Sequence, residues 1–300
     1  MKLTTLRALV AAIEEGSLRS AARRVGVSQP ALTKMIRELE LELSTTLLVR
    51  STTGVIATAQ GKVLYERAAA AERELSQAID QISQLGGRMT GDLKIGAVPL
   101  AVLLLIPETL RTFNREFPDI RLHISEELYI AQLTRLRKGE VDMAVGPMPE
   151  NMPQGEFVAE PLIPISMVIV VRKGNPLARA RSLEELSRAK WVFTGGAADS
   201  GYAKVMYAQH GLPAPPTGAI VNSTLGLLSL ITSGDFVGLM PLQIAMHPMA
   251  SAHLAMVNTR EGPLQLTVGA MVRADAAVTP AVRHFIAHLR RAAHHIGRLG

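Results

Sequence analysis

The fold of the N-terminal part is decided by one stretch, Ser17-Leu-Arg-Ser-Ala-Ala-Arg-Arg-Val-Gly-Val-Ser-Gln-Pro-Ala-Leu-Thr-Lys-Met-Ile-Arg-Glu-Leu-Glu40. In its second half and just beyond, apolar residues recur at i, i+4, i+7 and i+11, namely Leu32, Ile36, Leu39 and Leu43. This spacing places the four side chains on one face of a helix and predicts that the face is buried. The stretch therefore predicts two helices, the second with one buried and one exposed face.

The residues between these two helices favour a tight turn. Gly26 stands where the first helix ends, a position that favours a positive φ angle. Ser28 is a natural N-cap for the second helix, and Pro30 is tolerated in the first turn of a helix. Ala21 and Ala22 are small enough to let the two helices cross closely. The stretch thus predicts a helix–turn–helix whose second helix is placed to enter a DNA groove.

The exposed face of the second helix is rich in side chains suited to DNA. The candidate DNA-binding residues are Ser28, Gln29, Pro30, Thr33, Lys34 and Arg37 on or beside this helix, with Arg19, Arg23, Arg24 and Arg50 as phosphate contacts. Basic side chains pair with phosphates, and polar side chains read base edges. Residues 1–60 hold eight basic and five acidic side chains, a net charge of +3. The alternative is a surface helical hairpin with ordinary solvated charges.

Part of this stretch carries a family resemblance. Ala21-Ala-Arg-Arg-Val-Gly-Val-Ser-Gln-Pro-Ala-Leu-Thr33, followed by Ile36-Arg-Glu-Leu-Glu40, resembles the N-terminal signature of the LysR-type transcriptional regulators. The resemblance continues through Leu47-Leu-Val-Arg50 and Gly54-Val-Ile-Ala-Thr58, which are similar to that family's wing. Residues 51–53 are Ser-Thr-Thr, where members often carry a second basic residue that enters the minor groove.

The resemblance implies a layout for the whole chain. It implies an α/β protein with a winged helix-turn-helix DNA-binding domain (1–58), a dimerising linker helix (59–86), a hinge (87–91) and an effector-binding domain (92–300). The last of these would be a two-lobed domain of the periplasmic-binding-protein type (type II), with lobe I at about 92–162 and 267–300 and lobe II at about 163–266. The implied function is transcription regulation through double-stranded DNA, an effector and a homotetramer built as a dimer of dimers. RNA polymerase is a further partner that the resemblance allows.

Periodicity supports the linker helix independently. Between Ala59 and Leu85, apolar residues recur with spacings of four and three. This heptad pattern predicts a partner helix. The predicted dimerisation residues are Leu64, Ala68, Ala71, Leu75, Ala78 and Ile82, and the pattern ends at Leu85. The alternative is a helix packed on its own chain. In either case, the glycines of the segment 86–91 break the helix.

Composition restricts the function classes. With 300 residues, 48% of them apolar and 19% charged, the chain is large enough for two or three globular domains. The formal charge of +6 is compatible with nucleic acid. The absence of cysteine excludes disulfides, thiolate catalysis and zinc–cysteine sites. We find neither a secretory pattern nor a membrane-spanning stretch, and we expect a cytoplasmic protein without a membrane partner.

Beyond the hinge, strand patterns alternate with helix patterns. Strands are predicted near 93–98, 120–125, 141–145, 167–171, 190–193, 219–221, 236–239 and 266–272, and helices near 100–116, 129–138, 200–210, 224–233 and 280–296. Alternation of this kind is typical of parallel α/β layers. Two such blocks joined by two crossovers predict two lobes with a cleft between them.

The cleft residues follow from where ligands bind in such folds. Ligands of open α/β sheets lie beyond the carboxyl ends of the strands, near helix N-termini. The predicted effector-binding residues are Val98, Pro99, Leu100, Pro147, Met148, Thr194, Gly195, Asn222 and Ser223. The first lobe offers apolar side chains and the second offers polar ones, so we expect a small organic anion with an apolar body. The alternative function is a solute-binding receptor for transport, which the DNA-binding motif opposes.

Catalytic chemistry has little support in the sequence. We expect no catalytic residues, no metal and no cofactor, because the chain has no Gly-x-Ser-x-Gly elbow and no cluster of metal-ligand residues. The glycines at 195, 196 and 201 do not match a Walker motif. His284 and His288 are i and i+4 on the last predicted helix. We expect them to form a solvated face near a helix C-terminus, where a charged imidazole is favoured, rather than a metal pair.

Overall fold

The computed structural model describes residues 1–51, 54–148, 155–195 and 201–297. The chain divides into two compact units, residues 1–82 and 83–300. Within the described ranges, no helix is both long and apolar enough to cross a membrane.

The first unit consists of helices and one small hairpin. Its elements are α1 (Leu3–Glu15), α2 (Leu18–Val25), α3 (Gln29–Glu42), β1 (Leu48–Ser51), β2 (Gly54–Ala57) and the first part of α4 (Ala59–Leu85). The strands β1 and β2 pair antiparallel, with Leu48 opposite Ala57. This is the three-helix and wing arrangement that the sequence predicts.

The turn between α2 and α3 has the predicted chemistry. Gly26 adopts a φ of 73°, and its N–H group bonds to the carbonyl oxygens of Ala22 and Arg23. The Ser28 hydroxyl accepts a hydrogen bond of 3.3 Å from the Ala31 N–H group and caps α3. These contacts satisfy backbone groups that a helix end leaves unpaired, so the turn is fixed by local chemistry.

The core of the first unit is built from small residues. Ala8, Ala12, Ala21 and Leu32 are wholly buried where α1, α2 and α3 meet. Alanine side chains allow the close helix crossing that the sequence predicts. The prediction that Leu43 belongs to the buried face is wrong, because α3 ends at Glu42 and the Leu43 side chain is 41% exposed.

The predicted dimerisation face of α4 divides into two parts. Ala68 is buried beside Val10, and Leu64 packs against Leu9 and Leu47. These two positions therefore belong to the core of their own chain, as the alternative reading of the heptad pattern expects. The remaining apolar positions, Ala71, Leu75, Ala78, Ile82 and Leu85, are exposed in the single chain.

The second unit is built around one sheet. Its strands are β3 (Gly91–Ala97), β4 (Ile120–Glu126), β5 (Met143–Pro147), β6 (Phe157–Arg172), β7 (Trp191–Thr194), β8 (Thr217–Val221), β9 (Val237–Pro241), β10 (Leu254–Val257) and β11 (Leu264–Arg273). Its helices are α5 (Pro99–Glu116), α6 (Tyr129–Arg137), α7 (Tyr202–Gln209), α8 (Thr224–Ser233), α9 (Leu242–Met246), α10 (Pro248–Ser251) and α11 (Pro280–Gly297). The sequence patterns did not predict β10, α9 and α10.

The sheet is mixed: it contains the predicted parallel strands in each lobe together with antiparallel pairs. The strand order is β4-β3-β5-β11-β6-β9-β7-β8, with β10 beside β6. Strands β3, β4 and β5 are parallel in the first lobe, and β7, β8 and β9 are parallel in the second. The long strands β6 and β11 pair antiparallel with each other. One carries the chain into the second lobe and the other brings it back, so they run in opposite directions.

The last helix returns to the first lobe. The Phe285 ring on α11 meets the Phe113 ring on α5 edge-on, with 5.0 Å between the centroids. Both side chains are wholly buried. The last helix thus packs against α5 of the first lobe.

Candidate DNA-binding surface and ligand cavity

One face of α3 carries most of the predicted DNA-binding residues. A shallow surface depression is lined by Gln29, Pro30, Thr33, Lys34 and Arg37, together with Glu38 and Leu41. These residues lie opposite the buried side chains of the same helix, so the helix presents them to solvent. The structure thus brings together the predicted base-contacting residues, and Ser28 stands exposed at the start of the helix.

The basic groups on this face differ in how they are held. The Lys34 ammonium lies 3.8 Å from the Glu38 carboxylate, one turn further along. Arg37 is exposed, and within the described part of the chain its guanidinium has no ion pair. The Thr33 hydroxyl donates a hydrogen bond of 2.9 Å to the Gln29 carbonyl oxygen. Arg37 is therefore the basic side chain of α3 that is freest to approach a base or a phosphate.

The predicted phosphate contacts also differ from one another. The Arg24 guanidinium lies 2.6 Å from Glu14 and 3.4 Å from Glu15. The hydrogen bond with Glu14 raises the pKa of Arg24 above its ordinary value. Arg23, in contrast, makes a 3.3 Å hydrogen bond to the Ser20 hydroxyl and is exposed. Because two carboxylates of the same chain hold Arg24, it is less available to DNA than Arg23.

Two further predicted positions lie on other elements, α2 and β1. Arg19 is exposed on α2. The backbone of Arg50 lies in β1, opposite Val55, while its side chain is outside what the structure describes. Residues 52–53 at the tip of the wing also lie outside the described residues. The wing contact with DNA therefore stays a prediction.

A cavity of about 620 Å³ lies between the two lobes of the second unit. Most of its walls are apolar, with Ile165, Met167 and Leu239 among the lining residues. Seven predicted effector-binding residues line it, namely Val98, Pro99, Leu100, Pro147, Thr194, Gly195 and Asn222. A cavity of this size and lining suits a small organic molecule.

Two predicted effector-binding residues are absent from the cavity wall. The Met148 sulfur lies 2.6 Å from where a Cβ on Gly269 would stand, so this side chain packs on β11. The Ser223 hydroxyl accepts a hydrogen bond of 2.9 Å from the Gly226 N–H group and caps α8. The Met148 side chain thus packs on the sheet, and the Ser223 hydroxyl is bonded to a nearby backbone group. Neither side chain lines the cavity.

Charged side chains at the cavity went unnoticed in the sequence. Glu126, Glu127 and Lys204 all line it. The Glu127 carboxylate forms an ion pair with Arg135, whose guanidinium also lies 3.2 Å from Glu140. The Lys204 ammonium stands 5.4 Å from the centre of the Phe193 ring. Lys204 lies in the first turn of α7, just after Gly201, and this position in the sequence could have identified Lys204 as a cavity residue.

Three helices begin at the cavity without a side-chain cap. Their N-cap residues are Val98 for α5, Leu128 for α6 and Gly201 for α7, and all three residues line the cavity. The first N–H groups of a helix carry partial positive charge and lack partners within the helix. Helix ends without a side-chain cap can therefore donate hydrogen bonds to an anionic ligand.

The surroundings of His288 on α11 differ from the solvated face that the sequence predicts for His284 and His288. The His288 side chain is 1% exposed, and its Nδ1 atom lies 2.7 Å from the Thr112 hydroxyl. Burial lowers the pKa of His288, with the nearby Arg291 charge as a further cause, while Glu116 opposes the shift. The predicted solvated face is therefore wrong for His288. Among the described residues, no three potential ligands are grouped so as to hold a metal.

The comparisons with known proteins match both parts of the chain. The family model "Bacterial regulatory helix-turn-helix protein, lysR family" matches residues 3–62, and "LysR substrate binding domain" matches residues 86–294. A crystal structure of full-length CbnR complexed with its target DNA superposes with a TM-score of 0.70 at 20% identity, covering 97% of this chain and 100% of that one. At this level of identity the superposition supports the fold alone.

Two relatives extend over most of this chain. The HTH-type transcriptional regulator GalR of Pseudomonas putida is 25% identical over 95% of this chain and 72% of its own length. The SDS degradation transcriptional activation protein of a Pseudomonas strain is 28% identical over 93% of this chain and 92% of its own length. The chain belongs to the LysR family, as a DNA-binding transcriptional regulator with an effector-binding domain.

Proposed function

We propose that this regulator responds to a small amphiphilic organic anion that binds in the cavity between the lobes. The observation that carries the proposal is the convergence of three uncapped helix N-termini, those of α5, α6 and α7, on a cavity whose other walls are largely apolar. Apolar walls favour an apolar body, and free N–H groups favour an anionic head. Lys204 adds a positive charge on the second lobe.

The acidic residues of the cavity oppose this ligand class only in part. Glu127 is ion-paired with Arg135, which it shares with Glu140, and Glu126 is exposed, where water screens its charge. One relative is named for the degradation of SDS, a compound with an apolar chain and a sulfate head. We place this chain in the same broad ligand class, that of amphiphilic anions.

The mechanism that we propose is a coupling between the cavity and the DNA-binding surface. An anion that binds better to one arrangement of the lobes shifts the population of that arrangement, by its difference in affinity. We further propose that the exposed apolar positions of α4 pair two subunits, and that two such dimers form a tetramer. Pairing would place two recognition helices on half-sites about one helical turn of DNA apart. The proposed compartment is the cytoplasm, and the proposed role includes no catalysis.

A thermal-shift panel tests the ligand class. The probes are benzoate, benzenesulfonate and octyl sulfate, with benzyl alcohol and octanol as uncharged partners of similar shape. A ligand at a hundred times its Kd stabilises the native state by about 2.7 kcal/mol, so a binding anion raises the melting temperature. We expect at least one anion to do so while its uncharged partner does not. Stabilisation by glucose or by a cation alone would contradict the proposed class.

A DNA-binding experiment tests the coupling between the cavity and the DNA-binding surface. The purified chain is mixed with a labelled fragment of the promoter beside its own gene, and the mobility shift is measured with and without the best anion of the panel. We expect binding at nanomolar to micromolar concentrations and a change in affinity when the anion is added. The same affinity with and without the anion would contradict the proposed coupling.

A further inference from the structure

The second unit contains two buried glutamines that differ in hydrogen bonding: the carboxamide of Gln84 is paired and that of Gln132 is not. Gln84 is 5% exposed; its Nε2 donates to the Thr90 carbonyl at 3.0 Å, and its Oε1 accepts from the Ala281 N–H group at 3.1 Å. Gln132 is 0% exposed, and neither Oε1 nor Nε2 has a hydrogen-bond partner among the described residues. Buried polar groups are nearly always paired in folded proteins. The unpaired carboxamide of Gln132 therefore calls for an explanation.

The position of Gln132 connects it with the cavity. It lies in the first turns of α6 and covers two glycines of the sheet: its Cγ is 3.7 Å from where a Cβ on Gly96 would stand, and its Oε1 is 2.7 Å from the same point on Gly146. Gly96 pairs with Ala144, so Gly146 lies two residues further along β5. The side chain thus extends toward the carboxyl ends of the strands, where the cavity lies.

The Val98 side chain stands beside the carboxamide and also lines the cavity. Its Cγ1 atom lies 3.0 Å from the same point above Gly146. Pro147 at the end of β5 and Ala131, the residue before Gln132, line the cavity as well. Val98 has no side-chain donor or acceptor, so it cannot pair the carboxamide. A polar group of a ligand that reaches the carboxamide past Val98 can do so.

We propose that the Gln132 carboxamide is a specificity-determining group of the cavity, which donates a hydrogen bond through Nε2 to an oxygen of the effector's anionic head. The inference rests on the proposed function and names the side chain that selects the head group. The N-termini of α5 and α6, which no side chain caps, also begin at the cavity, and their N–H groups, other than at Pro99, donate to the remaining oxygens. A carboxylate, sulfonate or sulfate offers two or three oxygens, which matches this arrangement of donors.

The arrangement also accounts for glycine at one position of the sheet. A Cβ on Gly146 would stand 2.7 Å from the Gln132 oxygen and 3.0 Å from the Val98 Cγ1 atom, so a larger residue there would displace one of these side chains. A Cβ on Gly96 would stand 3.7 Å from the Gln132 Cγ atom, an ordinary van der Waals distance, so the carboxamide does not require glycine at that position.

The test compares Gln132→Met with Gln84→Met, which replace the carboxamide by an apolar side chain of similar length. Without a ligand, Gln84→Met should lower the denaturation midpoint, because it leaves the partners in Thr90 and Ala281 unpaired. Gln132→Met should leave the midpoint unchanged or raise it, because it removes an unpaired buried group. A loss of stability in Gln132→Met as large as that in Gln84→Met would overturn the inference, since the carboxamide would then have a partner within the protein.

The second measurement is titration calorimetry with the panel anion that stabilises the wild type most. Gln132→Met should bind this anion about tenfold or more weakly, as expected for one hydrogen bond to a charged group. Gln84→Met should bind it as the wild type does, and both variants should keep operator affinity without the anion. Equal anion affinity in Gln132→Met and the wild type would overturn this inference alone. Failure of every panel anion to bind the wild type would overturn the proposed function, and this inference with it.

Discussion

The DNA-binding surface and the cavity solve their recognition tasks with opposite layouts. Five of the residues that line the surface depression, Gln29, Pro30, Thr33, Lys34 and Arg37, follow one another within a single helix. The cavity takes its lining from separate segments of both lobes, near residues 98–100, 126–131, 194–205 and 239–244 among others. A site on one helix is specified by local periodicity, whereas a site between lobes is specified by the order of strands in a sheet.

The two sites also use charge differently. On α3, basic side chains are exposed to solvent and differ mainly in whether a carboxylate of the same chain holds them. In the cavity, the donors that we propose are backbone N–H groups of α5, α6 and α7, with Lys204 as an added cation. Side-chain charge suits a long polyanion such as DNA, and fixed backbone dipoles suit a small anion. The predictions below test whether this division holds.

The largest effect is expected from Leu75→Asp on α4. Leu75 is 45% exposed in the single chain, and we propose that a second subunit covers it. A buried carboxylate without a partner costs on the order of 3–5 kcal/mol, so subunit pairing should fail and operator affinity should fall with it. Sedimentation velocity measures the assembly. Ser76→Asp adds the same charge at the next residue, off the apolar face, and should leave the assembly intact. Unchanged assembly in Leu75→Asp would mean that this face does not pair subunits.

An intermediate effect is expected from Arg37→Ala on α3. Its guanidinium is the freest on the recognition face, so its loss should weaken operator binding by about 1–3 kcal/mol. Arg24→Ala is the matched control, because Glu14 and Glu15 hold that guanidinium and its loss should change operator affinity less. Fluorescence anisotropy with an operator fragment measures both. Equal losses in the two variants would show that intramolecular pairing does not decide which arginines bind DNA.

The smallest effect is expected from Thr194→Val at the end of β7. Thr194 lines the cavity, and losing one hydrogen bond to the anion should cost about 0.5–1.5 kcal/mol of affinity. Ser223→Ala is the control, because Ser223 caps α8 and does not line the cavity. It should lower stability by about 0.5–2 kcal/mol but leave anion affinity unchanged. Titration calorimetry and thermal denaturation separate the two, and reversed results would move the polar subsite from Thr194 to Ser223.

The sequence by itself determined the helix–turn–helix of the first unit almost completely. Gly26 and Ser28 fix the turn through local hydrogen bonds, and Leu32 and Ile36 mark the buried face of α3 through the helical period. These signals act over a few residues, so they can be read without knowing the rest of the fold. The prediction failed at Leu43, where α3 had already ended. The order of strands and helices in the second unit was also predictable, because each element has its own period.

Only the tertiary structure decided how these elements meet. In the folded protein β6 and β11 run antiparallel, and Leu64 and Ala68 are covered by their own chain. Met148 packs on β11 and Ser223 caps α8, so neither side chain lines the cavity. The tertiary structure also brought Lys204 and Glu127 to the cavity and left the Gln132 carboxamide unpaired beside its wall. The physical reason is that the periodicity of a helix or strand determines only which face of that element each residue occupies. What that face meets depends on strand order and lobe packing, which join residues far apart in the chain.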